Sequence, residues 1–83
     1  MKLLLITQNG CAPCAVVKNH LTDLNVEYTE INVSQNPEAI SEYNIQSTPV
    51  VVVSDEYEQL VRVSGINIHE INRAVEVYKE NIE

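Results

Sequence analysis

The chain has 83 residues, of which 45% are apolar, and a formal charge of −7 from twelve acidic and five basic side chains. That length gives one domain with a modest core, so its chemistry is expected on a surface rather than in a deep cleft. The acidic balance argues against nucleic acid and against an anionic membrane surface, since both need cationic patches; it also keeps a small domain soluble.

Met1-Lys2-Leu3-Leu4-Leu5-Ile6-Thr7 has too few apolar residues for a secretory leader, which needs about 7–15, and no cleavage-like site precedes Cys11. No run approaches the roughly 20 apolar residues that span a bilayer. A cytoplasmic location is expected.

Lys2 to Thr7 reads as a buried strand, closed by the turn residues Gln8-Asn9-Gly10. Cys14, Val17, Leu21 and Leu24 then recur at helical spacing, with Lys18, Asn19 and Thr22 on the other side. Pro13 suits the first turn of that helix, where a missing N–H costs nothing. Val26 to Val33 alternates and predicts a second strand, with Val26, Tyr28 and Glu30 on one side. Strand–helix–strand at these lengths implies parallel strands and a right-handed crossover.

A short helix follows, with Asn36 as N-cap, Pro37 at its first position and Glu38 in its first turn. Ala39, Ile40 and Tyr43 are expected to face inward. Val50 to Val53 is a run of valines, the mark of a strand buried on both faces. Asp55-Glu56-Tyr57 turns the chain, with Tyr57 half exposed, and Glu58 to Val63 returns as an antiparallel strand. Gly65 breaks it. Asn67, with Glu70 three residues on, caps the last helix. Ile68, Ile71, Val75, Tyr78 and Ile82 form its apolar stripe. The order is β-α-β-α-β-β-α, an α/β chain with no linker or repeat.

The chemistry-bearing feature is Cys11-Ala12-Pro13-Cys14, which contains the only two cysteines. The spacing puts two thiols within disulfide reach at the first turn of a helix, where the dipole favours a thiolate. A CxxC in a cytosolic chain is more often catalytic than structural. Cys11, at the exposed helix start, is expected to be the nucleophile. Cys14, on the apolar stripe, is expected to be buried and to resolve the mixed disulfide. The competing reading is half of a zinc site, but such a site needs four ligands. His20 and His69 are the only further good candidates and lack paired spacing, so no metal is expected. Both histidines read as surface side chains, and Lys18 as solvated.

These features resemble the thioredoxin/glutaredoxin superfamily across essentially the whole chain. The resemblance rests on the strand–Cys11-Ala12-Pro13-Cys14–helix unit, on Tyr43-Asn44-Ile45-Gln46-Ser47-Thr48-Pro49, and on Gly65. It implies a thioredoxin-like fold: a four-stranded mixed sheet flanked by three helices. It implies a cis Thr48–Pro49 bond, with the Thr48 backbone offered to an extended substrate by strand addition. Ala12, Pro13, Thr48, Pro49 and Gly65 would then line the substrate edge.

The chain starts at the strand before the CxxC, as in glutaredoxins and small glutaredoxin-like redoxins. Pro13 is similar to the thioredoxin-type CxPC. Gly10 stands where thioredoxins have Trp, and Leu5 where many keep a buried Asp. Gln8 stands where glutaredoxins commonly place a glutathione-binding Lys, and Ser64-Gly65-Ile66-Asn67 only partly resembles their Gly-Gly-x-Asp stretch. The implied activity is that of a monomeric thiol-disulfide oxidoreductase without a cofactor. Its partners would be disulfide-containing proteins and a reductase, either thioredoxin reductase-like or glutathione. Ribonucleotide reductase is a recipient for some members of the group. The alternatives are a glutathione-dependent glutaredoxin, and a non-catalytic module that docks a partner or holds a cluster shared by two chains.

Overall fold

Consecutive apolar side chains need cover on both faces of a sheet, and the two runs that have them lie at its centre. The computed structural model describes residues 1–81. Its elements are β1 (Lys2–Thr7), α1 (Ala12–Asp23), β2 (Thr29–Asn32), α2 (Glu38–Glu42), β3 (Val50–Ser54), β4 (Gln59–Ser64) and α3 (Ile68–Glu80). One mixed sheet runs in the order β2-β1-β3-β4. β1 pairs parallel with β2 and antiparallel with β3, and β3 pairs antiparallel with β4.

Alternation along the central strands divides the core in two. Leu3, Leu5, Val51 and Val53 face one way, against Val17 and Leu21 of α1 and Ile71, Ala74 and Val75 of α3. Leu4, Ile6, Val50 and Val52 face the other way, against Val33, Ala39, Tyr43 and Ile45. All four valines are buried, as their run predicts.

Several local expectations are corrected. The second strand is only Thr29–Asn32. Val26 and Tyr28 pack against the core from the connection before it. β2 has only the last four residues of β1 to pair with, from Leu4↔Thr29 to Thr7↔Asn32. α2 starts later than predicted, with Pro37 at the N-cap and no side-chain cap. Asn36 instead donates its N–H to Asn32 O at 2.9 Å, in the turn that leads to the helix. Ile40 is 44% exposed, because a five-residue helix buries only Ala39. Tyr57 is 90% exposed, not half. Asn67 does cap α3, its side chain accepting from Glu70 N. Of the predicted α3 stripe, Ile71 and Val75 are buried; Ile82 lies outside the described residues.

The registers Ile6↔Val50 and Val50↔Ser64 bring the end of β1, the start of β3 and the end of β4 to one rim of the sheet. The loops holding Cys11, Thr48-Pro49 and Gly65 meet there.

Candidate active site

β1 leaves the core at buried Thr7, and the chain turns through Gly10, whose φ of 70° suits a glycine. Asn9 N donates to Ser34 Oγ at 3.0 Å, and Asn32 Nδ2 donates to Asn9 Oδ1 at 3.0 Å. The loop before the CxxC is thereby tied to the chain after β2. Cys11 is the N-cap of α1, and Pro13 sits in its first turn. Cys11 and Cys14 form a disulfide across a Cα–Cα distance of 5.3 Å, so the structure holds the oxidised state.

The two sulfurs have different surroundings. Cys11 is half-buried, with Cys14 N–H directed at its Sγ at 3.1 Å. Thr48 Oγ1 donates toward the same sulfur at 3.4 Å. Two donors aimed at one sulfur stabilise negative charge there once the disulfide opens. Cys14 is 4% exposed and lies on the helix face that carries Val17 and Leu21. Apolar burial of this kind disfavours a thiolate.

The Thr48–Pro49 bond is cis. Gly65, at φ 78°, donates its N–H to Pro49 O at 2.9 Å. Thr48 therefore sits beside Cys11, with Pro49 next to it in the chain and Gly65 bonded to Pro49, while Ala12 and Pro13 are exposed at the start of α1. The structure thus brings all seven predicted site residues to one rim.

On the β2 side of the disulfide is a cleft of about 280 Å³, lined by Thr7, Cys11, Cys14, Lys18, Glu30 and Asn32 among others. Lys18 Nζ pairs with Glu30 Oε1 at 2.8 Å, and Thr7 Oγ1 donates to Glu30 Oε2 at 2.8 Å. The Lys18 bond, then the Thr7 bond, holds the Glu30 carboxyl below its ordinary range; Glu30 in turn raises the Lys18 ammonium. Lys18 is therefore paired rather than simply solvated. His20 is half-buried and shares a 2.7 Å hydrogen bond with Asn72 on α3, whereas His69 is exposed. The Thr7–Glu30–Lys18 chain is legible in sequence only once β2 is placed beside β1 in register.

No Asp, Glu, Lys or Arg occurs in residues 8–17, 43–54 or 63–68, the segments that carry the CxxC, the cis-proline loop and Gly65. The charge of −7 is carried elsewhere.

A CxxC at a helix start, facing a cis-proline loop at the rim of a four-stranded mixed sheet, defines the class of thioredoxin-like redox proteins. Solved structures agree. The crystal structure of the thioredoxin-like protein BC3987 superposes with a TM-score of 0.73 and 32% identity, covering 88% of this chain and 99% of that one. Mitochondrial thioredoxin 3 of Saccharomyces cerevisiae superposes at 0.79 with 19% identity, covering 90% of this chain and 76% of that one, a likeness of fold. In sequence, the chain is 30% identical over 73 residues to the SPbeta prophage-derived thioredoxin-like protein YosR of Bacillus subtilis (strain 168), covering 87% of this chain and 91% of that protein. The glutaredoxin family model matches residues 3–58, and the chain belongs to the glutaredoxin family. Membership and the cysteine pair together support thiol-disulfide redox chemistry. Among the described residues no helix is long and apolar enough to cross a membrane.

Proposed function

We propose that the protein is a cytoplasmic thiol-disulfide oxidoreductase that reduces protein disulfides through Cys11 and Cys14. The observation that carries this reading is the asymmetry of the pair. Two donors point at Cys11 Sγ, while Cys14 is buried one turn behind it. In the reduced protein, the Cys11 thiolate attacks one sulfur of a target disulfide and expels the other as a thiolate. Cys14 then loses its proton and attacks Cys11 Sγ, and the second target sulfur leaves. Two electrons pass to the target, its thiolates take up protons, and the Cys11–Cys14 disulfide remains.

The electron source is a thioredoxin reductase-like enzyme rather than glutathione. Glutathione carries two carboxylates and an ammonium group. The loops that carry the disulfide, Thr48–Pro49 and Gly65 offer no formal charge to any of them, the nearby Lys18 is already paired with Glu30, and Gln8 occupies the position of an expected lysine. Targets are held by the Thr48 backbone as an added strand, with Ala12, Pro13, Pro49 and Gly65 against them. Ribonucleotide reductase is one candidate recipient, and the protein acts as a monomer. A disulfide-reduction assay supplied in turn with dithiothreitol, thioredoxin reductase with NADPH, or glutathione with its reductase tests this. Turnover with the first two and little with the third is expected. Dominant glutathione-linked turnover would reassign the electron source, and no turnover with any donor would make the protein a binding module.

A further inference from the structure

β4 is an edge strand, and its two faces are covered unequally. Val61 and Val63 face the α1–α3 core. By alternation Leu60, Arg62 and Ser64 face the α2 side. α2 does not reach this far, and Leu60 is left 39% exposed. Arg62 stands opposite Val52 in the ladder and reaches across to the end of α2. Its Nη1 donates to Tyr43 O, and its Nη2 donates to Asn44 O at 2.9 Å.

Both acceptors are carbonyls at the helix end, where a cation complements the dipole. Asn44 has a φ of 53°, where the chain leaves α2 and turns toward Thr48. Among the described residues Arg62 has no carboxylate partner, so its fork serves this segment alone. The other end of the segment is gripped by the same strand's continuation, through Gly65 N–H to Pro49 O. Between these two grips the chain bows away from β4. Gln46 and Ser47 make no hydrogen bond to β4 and line, with Ser64 and Arg62, a cavity of about 570 Å³. Ile45 packs on the core and Pro49 is fully buried, so Gln46, Ser47 and Thr48 span the cavity between two fixed points, and the Arg62 fork helps to hold the first of them.

We infer that Arg62 is a positioning residue for the substrate edge: its fork on Tyr43 O and Asn44 O sets where the Thr48 peptide groups stand against Cys11. The inference rests on the proposed disulfide-reductase reading, in which Thr48 pairs with an extended target. A polypeptide disulfide needs that edge. A small neutral disulfide needs only the Cys11 thiolate. Displacing a positioned group by about 1 Å can cost up to about 100-fold in rate.

The test compares wild type, Arg62→Gln and Arg62→Lys, with dithiothreitol as reductant. Each reduces a disulfide-bonded peptide and, separately, bis-hydroxyethyl disulfide. For Arg62→Gln, kcat/KM on the peptide should fall on the order of tenfold, chiefly through KM; the small disulfide, which loses only the Thr48 hydroxyl's contact with Cys11, should fall several-fold less. Arg62→Lys keeps the charge and the stem but lacks the fork, so it should fall between. If Arg62→Gln does not fold, Arg62→Lys carries the same comparison. Parallel loss on both substrates, or no loss on either, overturns the positioning role. Failure of the wild type to reduce either disulfide overturns the underlying activity instead.

Discussion

Thr7 and Glu30 meet diagonally across the parallel β1–β2 pair. Thr7 is in register with Asn32, two residues past Glu30 on the same face, and its hydroxyl donates to the Glu30 carboxylate at 2.8 Å. The other carboxylate oxygen takes Lys18 from α1. The first crossover helix is thus pinned to the edge strand beside the disulfide by one acidic side chain.

That pin sets a pH dependence. Glu30 has a lowered folded pKa, so its contribution is present above the unfolded value and fades as pH falls through the folded one. Lys18 has a raised folded pKa, so its contribution is full below the unfolded value and is lost as pH rises through the folded one. Both contributions are in place near neutrality. Glu30→Gln should lower Tm at pH 7 by roughly 2–4 °C, as suits an exposed pair. The gap to wild type should close as pH drops into the acid range. A gap that widens toward low pH would contradict the assignment; calorimetry across pH reads it.

Leu21 is fully buried between α1 and the sheet, in the cluster with Leu5, Val51 and Ile71. Leu21→Ala should cost about 2–5 kcal/mol by urea unfolding. In a domain whose total stability is about 5–15 kcal/mol, that leaves little margin. A loss below about 1 kcal/mol would mean that α1 does not depend on this core.

Asn67 caps α3 through a long 3.4 Å contact to Glu70 N. Asn67→Ala should fall at the weak end of the capping range of about 0.5–2 kcal/mol, measured by denaturant melts. A cost near the top of that range would mean that the contact is tighter in solution.

Gln8 stands three residues before Cys11 and is exposed. Gln8→Lys introduces an unpaired cation beside the disulfide, where Lys18 is already taken by Glu30, and should raise glutathione-linked turnover by roughly 1.5- to 5-fold, the worth of one exposed charge contact. Turnover with dithiothreitol should stay the same. An unchanged glutathione rate would show that Gln8 is not what excludes it.

The parts of the fold set by runs and periodicity were legible. Val50–Val53 announced a strand with cover on both sides, and Val17 and Leu21 announced the buried face of α1. Cys14 sits on that face, so its burial followed. Alternation at Val26 and Tyr28 predicts a longer second strand than Thr29–Asn32, because it reports which way side chains point, not whether a neighbouring strand is there to pair. Asn36 has the composition of a cap, but its N–H is taken by Asn32 in a turn that sequence does not display. Lys18 and Arg62 were unreadable for a shared reason. A cation's partner depends on which element lies opposite, and Glu30, Tyr43 and Asn44 become neighbours only through the sheet order. The cysteines needed no such context, because their spacing within one helical turn already brings them together.

The central claim is that Cys11 attacks and Cys14 resolves, and competitive alkylation tests it most directly. Reduced protein is treated with limiting iodoacetamide at neutral pH, and the adducts are mapped by mass spectrometry. Early label should fall on Cys11, with Cys14 protected by burial. Cys14→Ser should then trap a mixed disulfide with a target, and Cys11→Ser should trap none. Early label on Cys14, or a mixed disulfide trapped through it, would contradict the account.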